Sequence, residues 1–307
     1  MINNFMIGMH GKYDLKKYNR DFRKGFYGIQ ACLIEDINDI KLLSEKAQSE
    51  GFKLGIHFPL RGGTYKLRDP QFLSLDAQTR IEAYKSVEEE LEFINKEHIK
   101  VDYILFHYPK PVILKESFDI GIWRFADSSE YVLESLYPIE ELKKHSEYLF
   151  SWLSRKSLEY NFTPVLEFDG INKFIINDKF IEDILEKYKS VKLCLDTGRI
   201  HLQSRIDPDF NGTEFIKRFS KYTEVIHLWN VKVEESLERN HYPVLPNLNP
   251  DDGWAPIESY LNIIMSENNQ VKIMFEHRSD LISDEELDMC YSWISSITIK
   301  KNTCSDC

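Results

Sequence analysis

A chain of 307 residues, 42% hydrophobic and 29% charged, suits one α/β barrel or two small domains and is too apolar for a disordered chain. With 39 Lys+Arg against 50 Asp+Glu, the net charge of −11 argues against a general nucleic-acid binder, which needs a basic footprint. No stretch approaches the roughly 20 apolar residues of a membrane span, and "MINNFMIGMH" lacks the basic region expected of a signal peptide.

Eight short apolar runs, bounded by turn signals, read as buried parallel strands. In chain order they are "FMIGMH" (5–10), "FYGIQACLI" (26–34), "KLGIHFPL" (53–60), "VDYILFHYP" (101–109), "FTPVLEFDG" (162–170), "VKLCLDTG" (191–198), "EVIHLWN" (224–230) and "VKIMFEH" (271–277). Helical spacing separates most of them, over 36–51, 76–98, 138–161, 177–190, 212–222, 255–268 and 283–297. Asp76 stands at an N-cap position and Pro138 at a helix start. The pattern over 11–24 is the least clear. Strands alternating with helices predict a single (β/α)8 TIM barrel over 1–300, with a tail over 301–307.

Two loops are long, 110–137 after the fourth strand and 231–254 after the seventh. Both carry aromatic residues and are expected as ordered lids over the barrel mouth. Of the five cysteines, Cys32, Cys194 and Cys290 sit in apolar stretches and read as small buried hydrophobes. Cys304 and Cys307 form a lone CxxC, expected as a reduced tail in a cytoplasmic protein.

A barrel's site lies at the C-terminal ends of its strands. Seven of the eight ends carry a potential ligand: His10, His57, His107, Glu167, Asp196, His227 and Glu276. One strand-end histidine is usually a satisfied hydrogen-bonding residue, and one acid is usually a cap. Seven on one rim are different, because burying unpaired charges together is costly and a divalent cation removes that cost. Imidazole and carboxylate donors suit Zn²⁺, Mn²⁺, Fe²⁺ or Co²⁺ and disfavour Ca²⁺. Acids and histidines around an open position make a catalytic site.

At these residues the chain resembles the xylose isomerase-like TIM-barrel superfamily, which includes AP endonuclease family 2 (endonuclease IV) and many sugar isomerases and epimerases. The resemblance runs in strand order over nearly the whole chain. The superfamily's Glu, Asp, His, Glu metal quartet maps onto Glu167 in "VLEFDG", Asp196 in "CLDTG", His227 in "IHLWN" and Glu276 in "MFEH". The resemblance implies that Glu167 and Glu276 also act as acid and base. Two further endonuclease histidines map onto His57 in "GIHFPL" and His107 in "LFHYPK", and His10 in "GMH" matches that family's Gly-x-His. One or two ions, Zn or Mn foremost, are implied.

The endonuclease pattern then departs. Where it has Asp-Thr-Cys-His this chain has Asp196-Thr197-Gly198-Arg199, and its Asp-x-His pair has become "LERNHYP" around His241. An arginine stays protonated and cannot ligate a metal. The leading expectation is therefore a metal-dependent sugar or sugar-phosphate isomerase or epimerase. Arg199, His10, Trp123 and His241 would bind its substrate, and Phe125 would stack or exclude water. The alternative is an endonuclease IV-like phosphodiesterase with two metals and the third zinc lost. Barrels of this superfamily often pair, so a homodimer is expected. Asp251-Asp252-Gly253-Trp254 reads as a turn and cap, His98, His145 and His277 read as packing or surface residues, and His201, five positions after Asp196, falls in the next helix as a weak ligand candidate.

Overall fold

The apolar runs form eight strands closed into a parallel barrel, in a computed structural model that describes residues 2–123, 125 and 128–299. The strands are β1 (Phe5–His10), β2 (Gly28–Cys32), β3 (Lys53–His57), β4 (Tyr103–Tyr108), β5 (Val112–Leu114), β6 (Tyr131–Leu133), β7 (Thr163–Phe168), β8 (Lys192–Asp196), β9 (Thr223–Leu228), β10 (Asn230–Val233), β11 (Leu237–Tyr242) and β12 (Lys272–Phe275). Barrel order is β1-β12-β9-β8-β7-β4-β3-β2, while β5–β6 and β10–β11 are separate two-stranded ladders. Those two ladders lie in the two long loops, so both loops contain regular structure. Cys304 and Cys307 lie outside the described residues. No helix among the described residues is long and apolar enough to cross a membrane.

The helices are α1 (Leu15–Asp21), α2 (Ile37–Glu50), α3 (Ala77–Lys96), α4 (Ile120–Trp123), α5 (Ile139–Tyr160), α6 (Lys173–Asn177), α7 (Phe180–Lys187), α8 (Thr197–Ile206), α9 (Gly212–Phe219), α10 (Ile257–Glu267) and α11 (Asp284–Ile299). Their ends follow local chemistry. The Asp36 side chain accepts from Asn38 N at the start of α2, and Gly51 ends that helix at φ 78, where a side chain would be strained. Asp76 caps α3 in the same way, accepting from Thr79 N. The helix expected over 177–190 is α7, and a separate short helix, α6, ends at Asn177 just before it. Asp178 turns extended (φ −119, ψ 153), and its carboxylate accepts from Phe180 N at 2.8 Å, so a side-chain bond replaces one helical turn. Helix α8 is one that apolar spacing does not single out.

The chain divides into two compact units. One comprises Met9–Tyr13 and Gln30–Leu193. Within it, the β4–β7 register sets His107 beside Glu167, and the β3–β4 register sets His57 beside Leu105. The close approach of β3 and β4 needs Gly55, since a Cβ there would lie 2.2 Å from the Tyr103 ring. The Tyr103 hydroxyl donates to Gln30 Oε1 at 2.7 Å, which gives this buried phenol a partner.

The other unit comprises Met1–Gly8, Asp14–Ile29 and Cys194–Cys307. Here β9 and β12 pair with His227 opposite Met274, and Glu276 N donates to Leu228 O at 3.2 Å just beyond the last rung. Helix α1 is braced to the segment after β12. Asp21 accepts from Ser279 Oγ at 2.6 Å, and Arg20 donates to Ser279 O at 2.9 Å and Ile282 O at 2.7 Å.

His277 lies buried in this brace, and among the described residues its Nδ1 has no hydrogen-bond partner. Burial pushes its pKa down to about 3, with Lys17 and Arg20 adding repulsion and Asp21 offsetting part of it. In the unfolded chain the ring takes a proton near its ordinary value. Stability from the neutral ring is therefore complete above about pH 6.5 and is lost as pH falls towards 3. Between pH 7 and pH 5 the loss should be on the order of 2 kcal/mol, at about 1.4 kcal/mol per unit. Urea unfolding at both pH values checks it: His277→Gln should be less acid-sensitive than the parent, and an equal slope would refute the assignment.

Candidate metal centre

In the unit that begins again at Cys194, local sequence places Asp196 at the junction of β8 and α8. It is the N-cap of α8, and its Oδ1 accepts from Arg199 N at 2.9 Å. The Arg199 side chain returns its Nε to 3.5 Å from Asp196 Oδ2. Thr197 ties the strand ends together: its Oγ1 lies 2.9 Å from Trp229 O and 3.2 Å from His227 O, and accepts Trp229 N at 3.3 Å. His227 is wholly buried, and its Nδ1 sits 3.2 Å from Glu276 Oε2. The ligand atoms of Asp196, His227 and Glu276 lie within 4.8 Å of one another. Glu276 keeps 29% of its side chain exposed, so this carboxylate is reachable from solvent.

The loop carrying His241 is seated on the same unit. The His241 ring stacks on Trp229 with centroids 4.1 Å apart and planes 5° from parallel. Its backbone is left-handed at φ 48, which is uncommon for a residue with a side chain. Its carbonyl accepts from Arg278 N at 2.8 Å, two positions after Glu276. Trp229 also explains Gly198, because a Cβ at 198 would lie 2.4 Å from the indole. Gly198→Ala should therefore cost about 1–3 kcal/mol by overpacking. Thermal unfolding reads this, and pairing it with Trp229→Leu should recover most of the loss. A Gly198→Ala protein as stable as the parent would show that the indole simply moves aside.

In the unit containing Gln30–Leu193, His57, His107 and Glu167 bring their ligand atoms within 4.8 Å of one another. Exposures are 3%, 3% and 1%, so the group is dry. His57 Nε2 lies 3.5 Å and His107 Nε2 3.3 Å from the same Glu167 oxygen, Oε2. The rings meet edge-to-face with centroids 4.7 Å apart. Behind them lies a buried charge cluster. His107 Nδ1 is 2.9 Å from Asp69 Oδ2. Lys110 Nζ is 3.1 Å from that oxygen, 2.6 Å from Asp169 Oδ2 and 3.2 Å from Glu130 Oε2.

Electrostatics separate the two histidines. Burial pushes His57 down, opposed by its contact with Glu167. Burial also works against a charge on His107, yet Asp69 and Asp169 outweigh it and push the ring up to about 9. Burial would raise Asp69, but His107 and Lys110 hold it well below the usual carboxylate range. Lys110 is raised because its surrounding carboxylates outweigh its burial.

Of the remaining candidates, His10 is exposed at the end of β1. Trp123 is 7% exposed, and its indole Nε1 donates to Asp169 Oδ1 at 3.3 Å, so it ties the 110–137 loop to this unit. Phe125 lies against Tyr131, with ring centroids 5.0 Å apart. His201 is buried with Nε2 3.2 Å from Gly253 O, and His145 pairs with Glu141 at 3.0 Å. Sequence reasoning did not single out Asp69, Lys110 or Asp169. A signal existed for one of them: Asp169 follows Glu167 by two positions, the spacing that returns a side chain to the same face of a strand.

No protein-family model and no curated relative matches the chain. Solved structures do. A D-tagatose 3-epimerase-like protein superposes with TM-score 0.61 at 12% identity, over 94% of this chain and 98% of that one. The 3-keto-D-glucoside 4-epimerase of E. coli gives 0.58 at 14% identity, over 94% and 98%. A family 2 AP endonuclease from Brucella melitensis gives 0.56 at 11% identity, over 95% and 98%. At such identities the likeness shows the fold alone, a TIM barrel, and leaves the chemistry to the residues.

Proposed function

We propose that the chain is a divalent-metal-dependent isomerase or epimerase acting on a sugar or sugar phosphate. The observation that carries this reading is the convergence of Asp196, His227 and Glu276 within 4.8 Å, with Glu276 open to solvent. Glu167 is the proposed fourth ligand, as the resemblance to the Glu, Asp, His, Glu quartet implies. The donor set of one imidazole and carboxylates suits Zn²⁺ or Mn²⁺. A divalent ion there would supply Lewis acidity toward a substrate carbonyl and its neighbouring hydroxyl.

The protein groups have separable tasks. His227 holds Glu276 through the 3.2 Å contact, so that its carboxylate can take or return a proton at the carbon next to the carbonyl. Glu167, almost fully buried, is the partner for the opposite face. Arg199 steadies Asp196 and offers a planar set of donors to a substrate phosphate or carboxylate. His10, Trp123 and His241 are the further proposed substrate contacts. The cytoplasmic and dimeric expectations stand as part of this proposal.

A second reading, a phosphodiesterase of the AP endonuclease kind, is favoured by one observation, the buried His57–His107–Glu167 group. Two ions sharing Glu167 could clamp attacking and leaving oxygens. The net charge of −11 weighs against a polyanionic substrate. So does Arg199, which stands where that pattern has a ligand.

The deciding experiment incubates metal-replete protein with a panel of ketoses and ketose phosphates in D₂O, following deuterium incorporation by NMR. Exchange at a carbon next to the carbonyl supports the proposal. Incision of an abasic-site duplex without any exchange would replace it with the second reading.

A further inference from the structure

His57 and His107 are held in the same way from behind. The His57 Nδ1 lies 3.2 Å from Phe58 O, and the His107 Nδ1 lies 2.9 Å from Asp69 Oδ2. In each ring the hydrogen bond at Nδ1 leaves Nε2 as the atom turned towards Glu167. A metal-binding imidazole is commonly fixed by such an outer carboxylate or carbonyl, which selects the tautomer and the ring orientation. The outer partners differ in kind. Phe58 O belongs to the next residue of the chain, so its position comes with the strand. Asp69 comes from a loop 38 positions away and must be held there.

That holding is visible. Gln71 Nε2 donates to Asp69 O at 3.2 Å, and Leu73 N donates to Lys110 O at 2.7 Å, fastening the loop after β3 to the end of β4. The Lys110 ammonium, 1% exposed, lies between Asp69 and Asp169 and neutralises the charge that burying both would otherwise carry. Asp69 itself is 6% exposed. An isolated buried carboxylate would be expensive; this one is matched by a lysine on one side and an imidazole on the other.

We infer that Asp69, kept in place by Lys110, is the positioning residue that aims His107 Nε2 at a second divalent cation shared with His57 and Glu167. The inference rests on reading that group as a cation site. It does not depend on which chemistry the barrel carries, since a second ion can serve a sugar hydroxyl or a phosphoester oxygen. Asp69 touches no substrate here; it acts through His107.

The test titrates metal-free full-length protein with Co²⁺ alone, by calorimetry, and follows urea unfolding of each variant. The parent should bind two ions, and His107→Ala should abolish one of them, which identifies the second site. Asp69→Ala should weaken that ion by about 10–100-fold and leave the other within about twofold. Asp69→Asn, nearly isosteric and still offering an oxygen to Nδ1–H, should weaken it less; it also serves if the alanine variant folds poorly. Equal weakening of both ions in step with lowered stability would make Asp69 a purely structural brace and overturn the inference. Unchanged binding of the second ion in Asp69→Ala would also overturn it. A parent that binds one ion, unaffected by His107→Ala, overturns it while leaving the proposed function standing. A parent that binds none overturns both.

Discussion

Replacing Glu276 by Gln is expected to lower deuterium exchange into a ketose by about 10²–10⁴-fold, the range for removing a general acid or base. The substitution keeps size and shape while removing the proton-carrying group. Glu276 sits beyond the last rung of β12, with part of its side chain in solvent, so little packing depends on its charge. Urea unfolding should therefore move by less than about 1 kcal/mol, as for other partly exposed positions. Because Glu276 is also a proposed ligand, metal content must be measured in the same samples. If exchange survives within tenfold at equal metal content, the proton is carried by another group and the assignment fails.

The largest stability effect is expected at Lys110. Lys110→Met keeps the length of the stem and removes the charge, leaving Asp69 and Asp169 buried without their cation. Removing one partner of a buried ion pair typically costs about 3–5 kcal/mol. Part of that cost disappears when a carboxylate takes up a proton. Without Lys110 the Asp69 carboxyl is expected to rise from its lowered position in the parent, so the penalty should be greatest at neutral pH and shrink as pH falls through the carboxylate range. Urea unfolding at pH 7 and pH 4.5 reads both parts. A loss below about 1 kcal/mol at pH 7 would mean that the cluster relaxes or admits water, and that the lysine is not what keeps Asp69 in place. The same variant should loosen the 110–137 loop, because Glu130 and the Trp123 partner Asp169 both contact Lys110 or its cluster.

Much of the architecture was legible before any coordinates, for a physical reason. A parallel strand covered on both faces must be a continuous apolar run, so each strand announces itself without help from its neighbours. The residue that closes such a run stands where the barrel opens, which is why His57, His107, Glu167, Asp196, His227 and Glu276 could be picked one by one. Helix ends were equally local: Asp36 and Asp76 are caps because their side chains reach amides two or three residues on. Helix α6 was not singled out, since five residues are too few to display helical spacing.

Asp69 was invisible for the opposite reason. In "YKLRDPQF" an acid is what any solvated loop would carry, and nothing nearby says that this one is buried. The meaning of Gly198 was likewise hidden. As one residue of "DTGR" it carried no reading of its own; beside Trp229 it is the only residue type that fits without displacing the indole.

The sequence by itself determined the alternation of strands and helices, the barrel, and which strand ends carry candidate ligands, because burial and capping act over a few residues. Only the tertiary structure decided which donors meet and what stands behind them. It set His107 beside Glu167 through the β4–β7 register, set His241 on Trp229, and placed a lysine between two buried aspartates. Those partners lie a dozen or more positions apart, and no local rule links them. Their pairing follows from the demand that charges taken out of water find compensation where the folded chain brings them.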